Sequence, residues 1–351
     1  MGRDVLSFRQ MTVLLLVALL TPVTDLLPSL AAQRVGRGGW LVAPLVLPVL
    51  LLAMWLCSKV FCGCGLGERV GKSMEYTITI IYTAWILFLL ALVFRSVAAR
   101  MELIHNRVPP ICFSAGVAVL SIWAGRGKTA ALARAAEVFY LVLTVVLAGV
   151  LLLALFHVEW SNLHPVEWAR IPGGSILVAG ILLNVAPIAV LGARVPRELQ
   201  NKGRGWGWAV AFCAEVTLVL MAVFGNVGSR LSARLDAPYF IMVQGLGVKG
   251  AFQRLEAPVA ALWLLSDLIL AGMLLRTGND YVTEMTSERW GRRSVPIMVL
   301  VALGVGWMLF PEDAELRGFC VDVLPVAGVI LGLVIPFFLW VISCVRQKKE
   351  G

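Results

Sequence analysis

The sequence predicts an all-α integral membrane protein with ten transmembrane helices. Sixty per cent of its 351 residues are hydrophobic and 15% are charged, whereas soluble proteins have about 45–50% apolar and about 25% charged residues. The mean hydropathy is +0.87. The apolar residues form continuous runs without strand-like alternation, which favours helices over a β-barrel. This composition excludes a soluble enzyme, a disordered chain and a nucleic-acid-binding protein.

Each apolar run long enough to cross a bilayer core, about 20 residues, is a candidate span. We expect the first run to be a retained span and not a cleaved signal peptide, because it is long and is interrupted by Pro22 and Asp25. We treat residues 1–351 as one membrane domain. In chain order the ten candidates are 11–32, 39–57, 76–99, 108–124, 135–157, 173–193, 206–227, 257–278, 295–310 and 323–345.

The distribution of positive charge predicts the orientation. The net charge is +9, and with the N-terminus inside, the inner segments hold most of the 30 Lys and Arg residues. Cytoplasmic loops carry such an excess. We therefore expect both termini to face the cytoplasm, and we expect a short helix over 238–248 in the long outer loop 228–256.

No pattern indicates a cofactor, a metal or a catalytic centre. Cys57, Cys62 and Cys64 lie close together, but a fourth metal ligand is not apparent, so we interpret them as reduced thiols. The three histidines lie at outer ends or in outer loops, without the spacing of a zinc-hydrolase helix. We expect neither an enzyme nor a bound cofactor.

The first span contains the clearest candidate for a binding site. Ionisable groups inside spans cost roughly 2.5–3.5 kcal/mol to insert, so each is a functional candidate. Asp25 follows Thr21-Pro22-Val23-Thr24 in the middle of this span. Proline removes a backbone donor, and the threonine hydroxyls can satisfy the freed groups. We predict a discontinuous helix in which Thr21, Pro22, Thr24 and Asp25 hold an amine or a cation. The alternative is that Asp25 is hydrated in an outer vestibule.

The sixth span has a matching interruption at Asn184-Val185-Ala186-Pro187. Proline-interrupted spans in corresponding positions of two halves indicate a transporter's binding site. We therefore add Asn184, Ala186 and Pro187 to the predicted ligand site. Because each half has five spans, the halves 11–157 and 173–345 insert with opposite topology, as an inverted repeat.

Two further deep carboxylates are Asp267 and Glu215. Asp267 follows Trp263 by one helical turn, so the two can present a charge and an aromatic wall to the same cavity. Glu215 is a candidate for proton or ion coupling. For both carboxylates, a structural interhelical hydrogen bond is an equal alternative. We interpret Gly328 and Gly332 as a small-residue pair for helix packing.

Four stretches of the sequence match motifs of a known family: Gly38-Gly39-Trp40-Leu41; Leu132-Ala133-Arg134-Ala135-Ala136-Glu137-Val138; Ser161-Asn162-Leu163-His164-Pro165; and Phe252-Gln253-Arg254-Leu255-Glu256-Ala257, followed by Leu262-Trp263. In these stretches the sequence resembles the spore germination permease family, the membrane subunits of nutrient germinant receptors within the amino acid–polyamine–organocation superfamily.

The resemblance implies a LeuT-like fold of five-plus-five inverted repeats, with helices 1 and 6 broken. It also implies that an amino acid or similar nutrient binds between spans 1, 3, 6 and 8. Such subunits act in the spore inner membrane with a larger membrane subunit and a lipoprotein, and sense the germinant. The alternative is a free-standing proton-coupled amino acid transporter, in which Glu215 or Asp267 titrates.

Overall fold

The structure, a computed structural model, describes residues 6–61, 70–104, 107–194, 205–246 and 255–350. It is 90% helical, with no strand in these ranges. Within the described ranges, seven helical segments are long and apolar enough to cross a membrane. The all-α class is therefore confirmed, and the apolar helices indicate a multi-pass membrane protein. The ten crossings and the LeuT-like layout stay predictions.

The α-helices are numbered in chain order. The first six are α1 (Phe8–Val35), α2 (Val42–Phe61), α3 (Lys72–Ile104), α4 (Pro110–Arg126), α5 (Thr129–Phe156) and α6 (Ile171–Leu183). The others are α7 (Gly205–Val227), α8 (Ser229–Ser232), α9 (Pro238–Gly245), α10 (Glu256–Met285), α11 (Glu288–Leu309), α12 (Asp313–Asp322), α13 (Leu324–Val329) and α14 (Ile335–Glu350). Short 3₁₀-helices occupy Gly36–Leu41, Trp160–Asn162, Trp168–Arg170 and Ala186–Arg194, and a π-helix occupies Ile330–Val334.

The first apolar segment, Phe8–Phe61, has 54 residues, far more than the roughly 20 that one crossing needs. It contains α1 and α2, which meet at the 3₁₀-helix Gly36–Leu41. The chain turns at Gly36, whose φ of 75° lies in a region that favours glycine. The predicted first and second spans are thus separate helices. The helix predicted over 238–248 is also observed, as α9.

The predicted break in the first span is wrong, because α1 is one continuous helix through Pro22. The Ser266 hydroxyl of α10 lies between two backbone groups of α1. It donates to the Val17 carbonyl at 2.6 Å and accepts from the Thr21 N–H at 3.1 Å. The Thr24 hydroxyl donates to the Leu20 carbonyl at 2.9 Å. Side-chain hydroxyls thus satisfy backbone groups around Pro22, and the helix does not need to unwind.

The predicted break in the sixth span is confirmed. Helix α6 ends at Leu183, a turn follows at Asn184, and the chain continues as the 3₁₀-helix Ala186–Arg194. Two buried tyrosines donate to irregular backbone: Tyr281 to the Pro187 carbonyl, and Tyr82 to the Leu331 carbonyl of the π-helix, each at 3.0 Å. Interhelical bonds of this kind allow irregular backbone inside a bundle.

Helix α10 lies at the centre of the bundle. It packs against α1, α3, α4, α5 and α11, and its most apolar window is 72% buried. Helix α6 instead packs closely on α13, where a Cβ atom on Gly328 would lie 1.8 Å from the Gly180 carbonyl oxygen. A Cβ on Gly332 would lie 2.7 Å from Leu183. The packing interpretation of Gly328 and Gly332 is confirmed.

Candidate functional site

A cavity of about 70 Å³ lies where α1, α3, α6 and α10 meet, beneath α12. A space of this size holds a few water molecules or a very small ligand. Five of the predicted site residues line it: Thr21, Pro22, Asp25, Asn184 and Asp267. The sequence reasoning thus selected residues that the fold brings together from three helices far apart in the chain.

The centre of the site is an arginine that the sequence analysis missed. Arg100 of α3 donates from Nη1 to the Asp25 carboxylate at 2.7 Å and from Nη2 to the Asp267 carboxylate. All three side chains are buried: 6% of the Arg100 side chain is exposed, 10% of Asp25 and 3% of Asp267. Buried charges of this kind persist only when paired and hydrogen-bonded. With both carboxylates ionised, the triad carries one net negative charge.

Hydrogen bonds tie α1 to α10 immediately beside the triad. In addition to the Ser266 contacts, the Thr21 hydroxyl donates to the Trp263 carbonyl at 3.3 Å, and Trp263 Nε1 donates to the Thr24 hydroxyl at 2.9 Å. The Arg100 guanidinium lies 5.8 Å from the Trp263 ring centroid, within the range of a cation–π contact. Thr24 and Trp263 therefore support the site from behind and do not line the cavity.

Two buried polar atoms at the cavity have no hydrogen-bond partner in the described part of the chain: the Asn184 side-chain oxygen and Arg100 Nε. The Asn184 amide nitrogen is held by the carbonyls of Gly180 at 2.9 Å and Leu324 at 3.0 Å. That anchoring leaves the oxygen as a free acceptor. Because unpaired buried polar groups are costly, such atoms indicate a ligand or ordered water.

A second cavity continues from the first and shares Asp25, Ser96, Arg100 and Cys320 with it. Helix α12 covers this region, and Cys320 contributes to both cavities. Burial raises the pKa of the Cys320 thiol to about 12, so the thiol stays neutral near pH 7.

Three ion pairs hold α12 to other elements. Asp313 pairs with Arg95 of α3 at 2.5 Å, Asp322 pairs with Arg34 of α1 at 2.5 Å, and Arg317 pairs with Asp236. The Arg34–Asp322 and Arg317–Asp236 pairs are partly exposed, so solvent screens them and each is individually weak. Arg95 is instead buried, with 4% of its side chain exposed, so separating it from Asp313 costs more than separating an exposed pair.

The remaining predicted residues lie elsewhere. Ala186 lines a separate apolar cavity of about 120 Å³ between α1, α2 and α7. The Pro187 carbonyl is occupied by Tyr281. Glu215 of α7 lines a third space, between α5 and α7. Neither Ala186 nor Glu215 lines the Arg100 cavity, and Cys62, Cys64 and Arg254 lie outside the described residues.

Arg37 immediately precedes the first resemblance motif, and Asn162 and His164 belong to the third. Arg37 donates to the His164 carbonyl, and Asn162 donates to the Gly225 carbonyl at 3.0 Å. A Cβ on Gly39 would lie 2.6 Å from the Phe224 ring, which gives this glycine a packing role. Residues 252–254 of the fourth motif lie outside the described part of the chain. No family model and no curated protein matches the sequence.

Proposed function

We propose that the chain binds a small zwitterionic nutrient, such as a small amino acid, in the Arg100 cavity and acts as the membrane subunit of a spore nutrient germinant receptor. The observation that supports the ligand class is the pair of unpaired buried atoms, the donor Arg100 Nε and the acceptor Asn184 Oδ1. Arg100 and Asn184 line one cavity together with Asp25 and Asp267.

The charges of an α-amino acid complement this arrangement. Its carboxylate would accept from Arg100, and charge-assisted hydrogen bonds of this kind are the strong ones. Its ammonium group would donate to Asn184 Oδ1 and be stabilised by the excess negative charge of Asp25 and Asp267. The cavity volume of about 70 Å³ favours the smallest amino acids.

The proposed receptor role follows from the position of Arg100 between helices. Arg100 joins α3 to Asp25 of α1 and Asp267 of α10. A ligand that competes for Arg100 weakens these contacts. It therefore has different affinities for the conformation that has the contacts and for one that lacks them. Such differential affinity is what shifts a conformational equilibrium. This role is not enzymatic and needs no cofactor.

The sequence resemblance supports the remaining parts of the proposal. Ten crossings form two inverted halves, 11–157 and 173–345, in the spore inner membrane, with both termini in the cytoplasm. A larger membrane subunit and a lipoprotein detect the change. Helix α6 and the 3₁₀-helix Ala186–Arg194 are then the two parts of the broken sixth span.

A second candidate function is proton-coupled amino acid transport. It is favoured by Glu215, a carboxylate at the centre of α7 that makes no ion pair within the described residues. Such residues serve as proton relays in transporters. In this case the protein reconstituted alone would move solute down a pH gradient.

The ligand assignment predicts that Asp25→Asn weakens binding of a small amino acid. The substitution removes a negative charge that stabilises the bound ammonium group; a loss comparable to one charge-assisted hydrogen bond, about 1.5–3 kcal/mol, corresponds to roughly a 10–100-fold rise in Kd. Isothermal calorimetry on the protein in nanodiscs, with glycine and alanine, measures this change. Glycinamide lacks the carboxylate and N-acetylglycine lacks the ammonium, so both should bind the unaltered protein more weakly than glycine.

The matched control is Glu167→Gln, which alters an exposed carboxylate paired with Arg170 on the surface. It should leave the Kd unchanged. Equal affinity of the Asp25→Asn variant and the unaltered protein, in preparations of equal thermal stability, would remove Asp25 from the site.

The receptor role predicts the phenotype of spores that lack the gene. They should lose germination in response to one small amino acid, because the sensing subunit is missing, while growing cells take up that amino acid normally. Germination across an amino acid and sugar panel, together with uptake of labelled solute, tests this. Normal germination with a selective uptake defect would contradict the receptor role and support the transporter.

A further inference from the structure

A groove of about 380 Å³ lies on the side of the bundle, away from the Arg100 cavity. Helices α5 and α7 form its walls, and α1 forms its floor. The wall residues Thr144, Ala148, Ala211 and Ala214 are exposed, and Leu141 on the adjoining surface of α5 is 69% exposed. In a membrane-spanning bundle this surface faces lipid or another protein.

The groove contains one acidic side chain. Glu215 lies at the centre of α7, half-buried, with no hydrogen bond or ion pair in the described part of the chain. The Tyr239 hydroxyl of α9 interacts electrostatically with it. This hydroxyl is buried and, within the described residues, has no hydrogen-bond partner either. Glu215 and the Tyr239 hydroxyl thus both lack a hydrogen-bond partner among the described residues.

Two other charged side chains deep in the bundle, Arg95 and Arg100, have partners. Arg100 is paired with two carboxylates, and Arg95 is paired with Asp313 and donates to the Phe310 carbonyl at 2.8 Å. Ionisable groups at membrane depth almost always pair with one another or with backbone carbonyls. The partner of Glu215 is therefore to be sought outside the described bundle.

The depth and shape of the groove limit what this partner is. A lipid ammonium group lies at the membrane surface, about 15 Å from the middle of the hydrocarbon core, too far to reach a side chain at the centre of α7. Small residues at helical spacing, Thr144 with Ala148 and Ala211 with Ala214, allow another helix to approach closely. A helix that crosses the membrane can carry a cation at the required depth.

We propose that this groove docks a membrane-spanning helix of another chain, one that carries a single Lys or Arg side chain near the middle of the membrane to pair with Glu215. A second copy of this chain does not supply that cation, because the described spans present no exposed Lys or Arg near their centres. The inference does not depend on the ligand assigned to the Arg100 cavity.

The experiment uses synthetic helices as probes. The full chain, fused to a fluorescent protein, is reconstituted in phosphatidylcholine vesicles with a dye-labelled Leu/Ala transmembrane peptide carrying either Lys or Leu at its centre. Energy transfer measures their association. We expect the Lys peptide to associate about tenfold more tightly than the Leu peptide, and this difference to disappear in Glu215→Gln.

The control variant is Glu137→Gln, which removes a carboxylate near the start of α5 that lies 4.0 Å from Arg9 and outside the groove. It should retain the preference for the Lys peptide. A variant that fills the groove, Ala148→Leu, should weaken association of both peptides.

Equal association of the two peptides with the unaltered chain would overturn the proposal. So would a preference for Lys that persists in Glu215→Gln, since the cation would then bind elsewhere. Glu215-dependent binding of a long-chain alkylammonium, without any Lys-dependent association of the peptide, would also overturn it and would make the groove a small-molecule site.

Discussion

Arg100→Met is expected to destabilise the protein by about 3–5 kcal/mol, the cost of removing one member of a buried ion pair. Methionine fills similar volume, but it leaves Asp25 and Asp267 buried without a counter-charge. Two adjacent unpaired carboxylates repel each other and must take up protons or draw water into the bundle. The thermal midpoint in detergent and the monodisperse fraction on size exclusion measure the loss.

A rescue experiment separates charge from packing. The triple variant Arg100→Met, Asp25→Asn, Asp267→Asn removes all three charges and should recover most of the lost stability, because neutral replacements of a buried ionic group are often tolerated. It should not recover ligand binding. A triple variant as unstable as Arg100→Met would show that the arginine acts through packing, contrary to the expectation.

The matched control is Arg170→Met. Arg170 also contacts a carboxylate, that of Glu167, but both side chains are more than half exposed. Exposed pairs contribute little, so the thermal midpoint should hardly change. A similar loss in both arginine variants would contradict the assigned role of the buried triad.

The sequence was sufficient to predict an all-α multi-pass membrane protein, since an apolar run of span length has few alternatives in a membrane. It also identified Asp25, Asn184 and Asp267, because polar residues in such runs are conspicuous. All three residues line one cavity, at the place where the resemblance implies that spans 1, 3, 6 and 8 form a site. The sequence does not show the pairing of Asp25 and Asp267 with one arginine.

Arg100 was missed for an identifiable reason. The predicted third span ended at residue 99, so Arg100 was counted as a loop charge, whereas α3 continues to Ile104. The signal was present, because Val97, Ala98 and Met101 continue the apolar pattern around it and all three are buried. A long helix can bury an arginine near its end when carboxylates on its neighbours face it.

The wrongly predicted break in α1 has a different cause. Pro22 was interpreted as a local disruption, and local sequence supports that interpretation. The compensating hydroxyl belongs to Ser266, 245 residues away from Thr21. Only tertiary contact brings a helix with such a side chain beside Pro22, so the outcome depended on packing that no local pattern contains.

Gly328→Ala is expected to disrupt the contact between α6 and α13 and to weaken ligand binding together with stability. The added Cβ would lie 1.8 Å from the Gly180 carbonyl oxygen and 2.7 Å from the Asn184 amide nitrogen. Overpacking typically costs about 1–3 kcal/mol and occasionally more. We expect at least the upper end of that range, because the obstructing oxygen is backbone and cannot rotate away.

The control is Gly304→Ala in α11, where nothing lies within 4 Å of the added Cβ. In a helix interior this change should be neutral or slightly stabilising, since alanine is the better helix former. Thermal midpoints of the two variants, measured in the same detergent, give the comparison. Equal midpoints for Gly328→Ala and Gly304→Ala would show that α6 and α13 are not in close contact.

The effect on binding follows from the anchoring of Asn184. Its amide nitrogen is held by the Gly180 and Leu324 carbonyls, on either side of the α6–α13 contact. Separating the helices by even part of an ångström breaks one of these bonds, and the Asn184 oxygen is then no longer fixed in the cavity. Glycine affinity should therefore fall in Gly328→Ala even at temperatures where the variant remains folded, whereas a purely global destabilisation would leave the affinity of the folded fraction unchanged.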